Sequence, residues 1–572
     1  MPTWAPATST TLTWHPRLVT ANGWAARSGA ACCRPLPLPP NTRPPAHPHG
    51  AQVAYGAGPL VQLLLGCGAQ HYMEFKLVQG NHMLESGSGG GGGSGEGDAP
   101  VGGGAETTAA LRPVPATRAE VFRDRRLGPA QKRALMRFLS AAALALGSGG
   151  RLAQAFASDA PFDSLLQSEG LDPQLRSLLL RGVLLQDGPE VGSDDDAGPP
   201  LSAAGALALL RLHAGSAGRY GEGTGPFLTP LYGCGELPQA FCRVAAVAGG
   251  VQVLRAPLAG LTFDEHTWAV GRLELAGGQV LRCGALAGGA VALAELLATF
   301  APDVCTTVTL RCVAVLDAPL LPDEQQTMLV VPPMAAGGAA VRGLMLGAST
   351  AVCPRGRHLL YLWMAGGSAG GGVSGGGGEC AAAAVLLPVL AQLADASQLR
   401  RQQEQREAAG APSLAQREQQ QAGAPPAAAC GGGGGGGGGA GLGEAAAAPR
   451  PRVLWAAFFS QEATALQDPA AAAAARRWPC NVALCPGPSA SATFASAVEA
   501  AKAVYWQLFP GGNTAEEGAG EEGQGREQRQ RRHFPLDPAL PAVDEEDAAS
   551  DDEALAALQA ALGGLPNGER EE

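Results

Sequence analysis

Long glycine-rich runs cut this chain into pieces and limit how much of it can build a core. Ser86–Gly104 is almost pure glycine and serine, 366–378 is mostly glycine, and the Gln, Arg, Ala and Gly-rich span from Leu399 to Ala448 holds nine consecutive glycines. Such stretches offer no apolar face to bury, so they read as linkers or loop expansions between ordered segments. A length of 572 residues allows two or more packed domains, since single cores stop growing near ~250–300 residues. With 82 glycines, 45 prolines and 5% aromatics, the folded part is shorter than the chain.

The net charge of -11 argues against a protein that tracks nucleic-acid phosphates. Much of the acid is local: Asp194–Asp196 in one loop, then Glu516, Glu517, Glu521, Glu522, Asp544–Asp547 and Asp551–Glu553 in the tail, all patterned as solvated charge runs. The thirteen cysteines form no C-x-x-C pair, and Cys480 and Cys485 have neither a second pair nor a histidine nearby to complete a metal set. Buried thiols in a reducing cytosol fit best. The longest apolar stretch, Ala381–Ala394, is too short to cross a membrane and contains Pro388, so a soluble protein is expected.

Residues 1–50 show no sustained period and read as a disordered or non-family leader. Structure is expected from Ala51, where Leu60, Val61, Leu63, Leu64 and Leu65 begin an apolar helix leading to a polar, strand-like stretch at Tyr72–Val78. From Thr117 to Arg219 the period is helical: Leu135, Phe138, Leu139 and Ala142 share one face, as do Leu175, Leu178, Leu179 and Val183, and Ser202–His213 is a third helical stretch. After Tyr232 the period shortens. Val251 and Val253, then Leu273 and Leu275 with a Gly277-Gly278 turn before Val280, predict strands and a hairpin. Further strands are expected at Thr307–Val315, Thr327–Val331, His358–Met364, Val453–Phe459 and Asn481–Cys485. A last helix is expected over Thr493–Phe509, and the tail beyond Gly512 reads as disordered, with a short helix at Glu553–Leu562.

The stretch Gly225–Gly250, GPFLTPLYGCGELPQAFCRVAAVAGG, is the most informative. Pro238 suits the first turn of a helix, Leu237, Phe241, Val244, Ala245 and Ala248 make its apolar stripe, and Gly249-Gly250 supplies a left-handed cap. Glu236, Gln239 and Arg243, at i, i+3 and i+7, then project together from the opposite face. That spacing fits either a recognition surface or an ordinary solvated helix face.

The residues from Tyr232 to Arg243, YGCGELPQAFCR, resemble the signature shared by Rab GDP-dissociation inhibitors and Rab escort proteins. Three more segments resemble that family in the same order: Tyr55–Val78, Leu127–Ala141 and Gly218–Gly233. Phe241-Cys242-Arg243 is escort-like, and Pro451–Gln461 with Asn481–Pro488 is similar to an escort protein's C-terminal part. The likeness spans about Ala51 to Gly511. It departs in residues 1–50, which hold neither the family's Gly-rich turn nor its Tyr-Tyr-Gly-Gly element.

The resemblance implies an α/β (α+β) fold of the GDP-dissociation-inhibitor type: a FAD-binding-type mixed-sheet domain I with an inserted all-helical domain II and long disordered Gly/Ala-rich insertions. On this sequence domain I falls at 51–116, with the insertion 86–104, at 220–364 and at 450–511; domain II takes 117–219, a low-complexity insertion 365–449, and an acidic tail 512–572. The implied role is that of a non-enzymatic accessory factor without a cofactor, cytoplasmic, binding GDP-bound Rab GTPases, the Rab geranylgeranyltransferase α/β heterodimer and a geranylgeranyl lipid, with transient delivery to membranes. The implied Rab contacts are Glu236, Gln239, Arg243, Val251 and Val253, the last two smaller and more apolar than is usual there. Leu135, Leu139, Leu178, Leu179 and Val183 are candidates for the lipid lining, and Phe138 for the transferase contact. The rivals are a Rab GDP-dissociation inhibitor that recycles prenylated Rabs and, from another class, a FAD-dependent oxidoreductase. Against the latter, Gly233-x-Gly235 lacks a third glycine and is followed by Glu236, which repels a pyrophosphate. Gly366-x-Ser368-x-Gly370 matches a nucleophile elbow only in letters, because it opens a glycine run with no helix after it.

Overall fold

A computed structural model describes residues 9–15, 18–24, 52–85, 110–115, 118–146, 150–186, 201–221, 225–254, 256–264, 266–321, 326–333, 339–368, 381–401, 450–475 and 477–509. The Ser86–Gly104 run, the acidic loop at Asp194–Asp196, most of the Leu399–Ala448 span and the whole acidic tail, with its expected short helix, lie outside these residues.

In chain order the strands are β1 (Ser9–His15), β2 (Leu18–Trp24), β3 (Ala54–Tyr55), β4 (Phe75–Leu77), β5 (Gly80–Glu85), β6 (Ala110–Pro113), β7 (Phe227–Pro230), β8 (Val251–Leu254) and β9 (Leu258–Asp264). They continue with β10 (Ala269–Leu275), β11 (Val280–Arg282), β12 (Leu286–Gly289), β13 (Val304–Leu316), β14 (Gln326–Val331), β15 (Val341–Leu346), β16 (His358–Ser368), β17 (Val453–Leu466) and β18 (Val482–Cys485). The helices are α1 (Pro59–Cys67), α2 (Arg118–Arg123), α3 (Pro129–Leu146), α4 (Ala153–Phe156), α5 (Phe162–Ser168), α6 (Pro173–Ser177, prolonged by a π turn at Leu178–Val183) and α7 (Ala203–Ser216). After them come α8 (Glu236–Val247), α9 (Ala294–Phe300), α10 (Ala381–Leu393), α11 (Pro469–Ala474) and α12 (Ala495–Leu508).

The largest sheet has seven strands in the order β17-β13-β16-β15-β14-β5-β6, antiparallel except where β14 runs parallel to β5. Strict alternation along β13 splits its side chains between two cores. Leu310, Cys312 and Ala314 face α10, whose Leu386 and Leu390 are fully buried, while Val313 and Val315 join the core that includes the helices α3 to α7. The helical domain therefore leans on one face of the sheet and α10 on the other.

A second sheet, β18-β12-β2-β1-β8, is parallel across β18, β12 and β2 and antiparallel beyond. Two short antiparallel sheets, β11-β10-β9 and β3-β7-β4, complete the strands. This is a mixed-sheet α/β architecture with a segregated helical part.

Two readings of the sequence need correction. Residues 1–50 read as patternless, yet β1 and β2 form a hairpin inside the five-stranded sheet, with β2 pairing β12 along Val19–Ala21. Backbone pairing is the physical reason: a strand contributes N–H and C=O groups to a ladder whatever its side-chain period. The span 365–449 read as low-complexity insertion throughout, yet β16 runs to Ser368 and α10 supplies buried core. Its near-total apolarity hid a helix that is covered on most sides, and Pro388 is tolerated because it lies on the exposed side, where the freed carbonyl of Ala384 meets water.

Candidate functional site

The Tyr232–Arg243 stretch forms a turn followed by α8. Tyr232 sits at φ 65, its amide bonded to the carbonyl of Thr350, and its side chain is 59% exposed. A bulky residue in the left-handed region is held there by its surroundings. Here the consequence is an aromatic ring presented to solvent. Cys234 follows, its thiol donating to the carbonyl of Gln52, and burial pushes that thiol up from its ordinary range. It is therefore held protonated and packs rather than reacts.

Helix α8 buries Leu237 and Ala240 and packs Phe241 and Val244 against α1, α12 and β7. Ala240 replaces the expected Ala248, which is exposed, because the helix ends one residue earlier. The cap is a Schellman motif: Gly250 N–H bonds Ala245 O at 2.7 Å and Gly249 N–H bonds Ala246 O at 3.0 Å, with Gly249 at φ 88. A Cβ on Gly250 would stand 2.7 Å from Ala245 O, so the close approach itself requires glycine.

On the outer face Glu236 lies in the first turn, half-buried, where the helix dipole favours a carboxylate. Gln239 and Arg243 are exposed one and two turns on. The Arg243 guanidinium stands 5.1 Å from the centre of the Tyr72 ring, a cation–π contact that joins α8 to the turn before β4. Beyond the cap, β8 presents Val251 and Val253 at 47% and 40% exposure, with Val247 and Leu254 beside them at 75% and 72%. Gln252, pointing the other way, donates to Cys242 O at 2.7 Å and ties the strand to the helix.

The structure thus brings all five residues expected at the recognition surface onto one helix–cap–strand unit. Sequence reasoning missed Tyr72, Tyr232, Val247 and Leu254 as parts of that surface. Tyr72 and Tyr232 lie inside the family-like segments, but nothing in their spacing announces that one would stack on Arg243 and the other project from a strained turn. The arrangement is charged, aromatic and apolar in patches.

The helical domain is different. Leu135, Leu178 and Leu179 are buried, and Leu139 and Val183 pack half-buried against the same core. Phe138, expected as a surface contact, is 1% exposed and lies 6.5 Å and 6.2 Å, ring centre to ring centre, from Phe156 and Phe162. It is a core residue. The helical period that selected it marks the buried face of α3, not the exposed one.

Among the described residues no cluster of His, Cys, Asp and Glu is arranged to hold a metal, and no helix is long and apolar enough to cross a membrane. Ser368 ends β16, paired with Thr307, and so belongs to a strand edge rather than to a nucleophile elbow.

A mixed-sheet domain joined to a helical one, with a polar helix face next to an apolar edge strand, is a fold of the GDP-dissociation-inhibitor type. The fold is shared with the Rab GDI of Plasmodium falciparum, at a TM-score of 0.56 and 14% identity over 83% of this chain and 87% of that one. A sequence model of the GDP dissociation inhibitor family matches residues 194–351. The chain is 29% identical over 338 residues to Rab escort protein 1 of Arabidopsis thaliana, covering 55% of this chain and 56% of that protein. It is 27% identical over 319 residues to Rab proteins geranylgeranyltransferase component A 2 of Homo sapiens, covering 54% and 42%. The chain therefore spans about half the length of these relatives. The sequence likenesses all run to GDP dissociation inhibitors and Rab escort proteins, and the structural one shows the same fold.

Proposed function

We propose that this protein binds GDP-bound Rab GTPases on the α8–β8 surface, presents them to Rab geranylgeranyltransferase and carries the prenylated product to a membrane, acting as an accessory factor rather than as a catalyst. The observation that carries this reading is the joint projection of Glu236, Gln239 and Arg243, with Arg243 stacked on Tyr72, from the most family-like stretch of the chain. A carboxylate and a guanidinium supply orientation, while Val247, Val251, Val253 and Leu254 supply apolar contact area next to them.

In this reading the helical domain shelters the lipid. Returning a geranylgeranyl chain to water costs ~0.8 kcal/mol per CH2, so a closed apolar site is needed. Leu135, Leu139, Leu178, Leu179 and Val183 fill one another's space in the helical core, so admitting a lipid between them requires the helices to separate. Transferase contacts in this domain come from exposed residues such as Phe122 and Leu144, at 55% and 58% exposure, rather than from Phe138.

The test is a titration of purified protein with unprenylated Rab loaded with GDP or with a GTP analogue. Tighter binding of the GDP form, with prenylation by the transferase dependent on added protein, is expected. Equal affinity for both forms refutes the reading. Binding of prenylated Rab alone, with no support of the transferase, would instead favour a GDP-dissociation inhibitor that recycles Rabs.

A further inference from the structure

A charged groove lies on the far face of the seven-stranded sheet, where α10 ends and β17 begins. A groove of about 780 Å³ opens there, lined by Asp317, Asp395, Arg400, Arg450 and Arg452 over a floor of Ala318, Ala391, Ala394, Ala396 and Pro451. Its frame is rigid. Asp395 N–H bonds Pro451 O at 2.9 Å, Val453 N–H bonds Asp395 O at 3.0 Å, and Asp317 N–H bonds Arg452 O at 3.1 Å.

The charges inside it do not balance. The Asp317 carboxylate accepts both the backbone N–H and the Nε of Arg452 at 2.7 Å, which neutralises that pair. Asp395 accepts Ser397 N–H at 3.0 Å and lies in the field of Arg401 and Arg452, its carboxyl held below the usual range chiefly by the Ser397 hydrogen bond. Arg400 and Arg450 have no ion pair among the described residues. A chain of net charge -11 thus places along one groove two arginines with no ion pair among the described residues.

Small side chains on the floor leave room for a peptide backbone to lie close, and arginines on the rim suit carboxylates, which they bind as planar forks. One segment of this chain has that composition. Residues 544–553 read Asp-Glu-Glu-Asp-Ala-Ala-Ser-Asp-Asp-Glu, seven carboxylates in two blocks separated by three small residues. We propose that the Arg400–Arg450–Arg452 groove is the docking site for the acidic segment 544–553 of the chain's own tail. Between Phe509 and Asp544 lie enough residues to span about 100 Å when extended, so reach does not limit the contact. Tethering also raises the local concentration of the segment to about the millimolar range.

The test uses the full chain. A fluorescent peptide covering residues 540–557 is titrated into protein in which the seven tail acids are replaced by their amides (Asp544→Asn, Glu545→Gln, Glu546→Gln, Asp547→Asn, Asp551→Asn, Asp552→Asn, Glu553→Gln). Saturable binding that weakens as salt is raised is expected, and about tenfold weaker binding when Arg400→Gln and Arg450→Gln are added. The unmodified chain should bind the peptide several-fold more weakly than the amide variant, because its own tail competes. Equal binding with and without the two arginines overturns the site. Equal binding by unmodified and amide chains overturns the occupant, leaving the groove to an acidic segment of a partner. Thermal melts exclude unfolding as the cause, and if the arginine variant does not melt cooperatively, salt-insensitive binding to the amide chain overturns the proposal by itself. Rab is absent throughout, so the outcome is independent of the docking surface on α8.

Discussion

Replacing Arg243 by alanine separates a recognition surface from an ordinary solvated helix face. The residue is exposed, and among the described residues the one contact recorded for its side chain is with the Tyr72 ring at 5.1 Å. An exposed cation–π contact contributes ~0.5–1 kcal/mol, so Arg243→Ala should lower folding stability by no more than that. If the surface docks Rab, the same truncation removes a charged anchor next to an exposed aromatic, and hot-spot losses of that kind run to ~2 kcal/mol or more. That corresponds to about a 30-fold rise in Kd. The assay pairs a titration of GDP-loaded, unprenylated Rab with a denaturation curve for each of wild type, Arg243→Ala, Tyr72→Ala and the double variant. The expected result is a binding loss well above the stability loss, with a Tyr72–Arg243 coupling of ~0.5–1 kcal/mol in the stability cycle. Arg243→Lys should restore the coupling more than the binding, since an ammonium keeps the charge but loses the planar fork. A Kd that moves no more than stability does would refute the reasoning and return α8 to the status of a solvated helix.

Four further outcomes are expected. Glu236→Ala should weaken Rab binding while leaving the melting temperature nearly unchanged, whereas Phe241→Ala, which packs into the α1–α8–α12 core, should lower the melting temperature. Arg112, 1% exposed and bonded to Glu85 at 3.0 Å and to Asp124 at 3.0 and 2.6 Å, holds two carboxylates together; Arg112→Ala should cost ~1–3 kcal/mol in a urea melt, because Asp124 loses its side-chain partner while Glu85 keeps Arg126. Burial lowers His213 from 6.5 to about 4, outweighing its bond to Val183, so the folded protein holds the ring neutral while the unfolded chain takes up a proton below about pH 6.5. Stability should therefore fall as pH is lowered from about 6.5 toward about 4, and His213→Phe, next to Tyr55 and Phe227, should flatten the upper part of that fall. Gly250→Ala should destabilise the α8 cap by pressing a Cβ onto Ala245 O, read as a lower melting temperature together with weaker Rab binding.

Much of this protein was written in local pattern. The short apolar runs at Thr307–Val315 and Thr327–Val331, the Gly277-Gly278 turn and the capped helix at Glu236 all form where the sequence places them, because each rests on local apolarity or on one turn or cap. The polar face of Glu236, Gln239 and Arg243 was likewise fixed by helical spacing alone. Tertiary structure decided the rest. Ladder bonds drew the patternless residues 9–15 and 18–24 into a sheet, and two-sided burial made core of the alanine-rich α10. Packing turned Phe138 inward against Phe156 and Phe162, while an aromatic residue remote in sequence, Tyr72, came to lie under Arg243. Periodicity reports which face of an element is apolar, and only the assembled fold determines what that face meets.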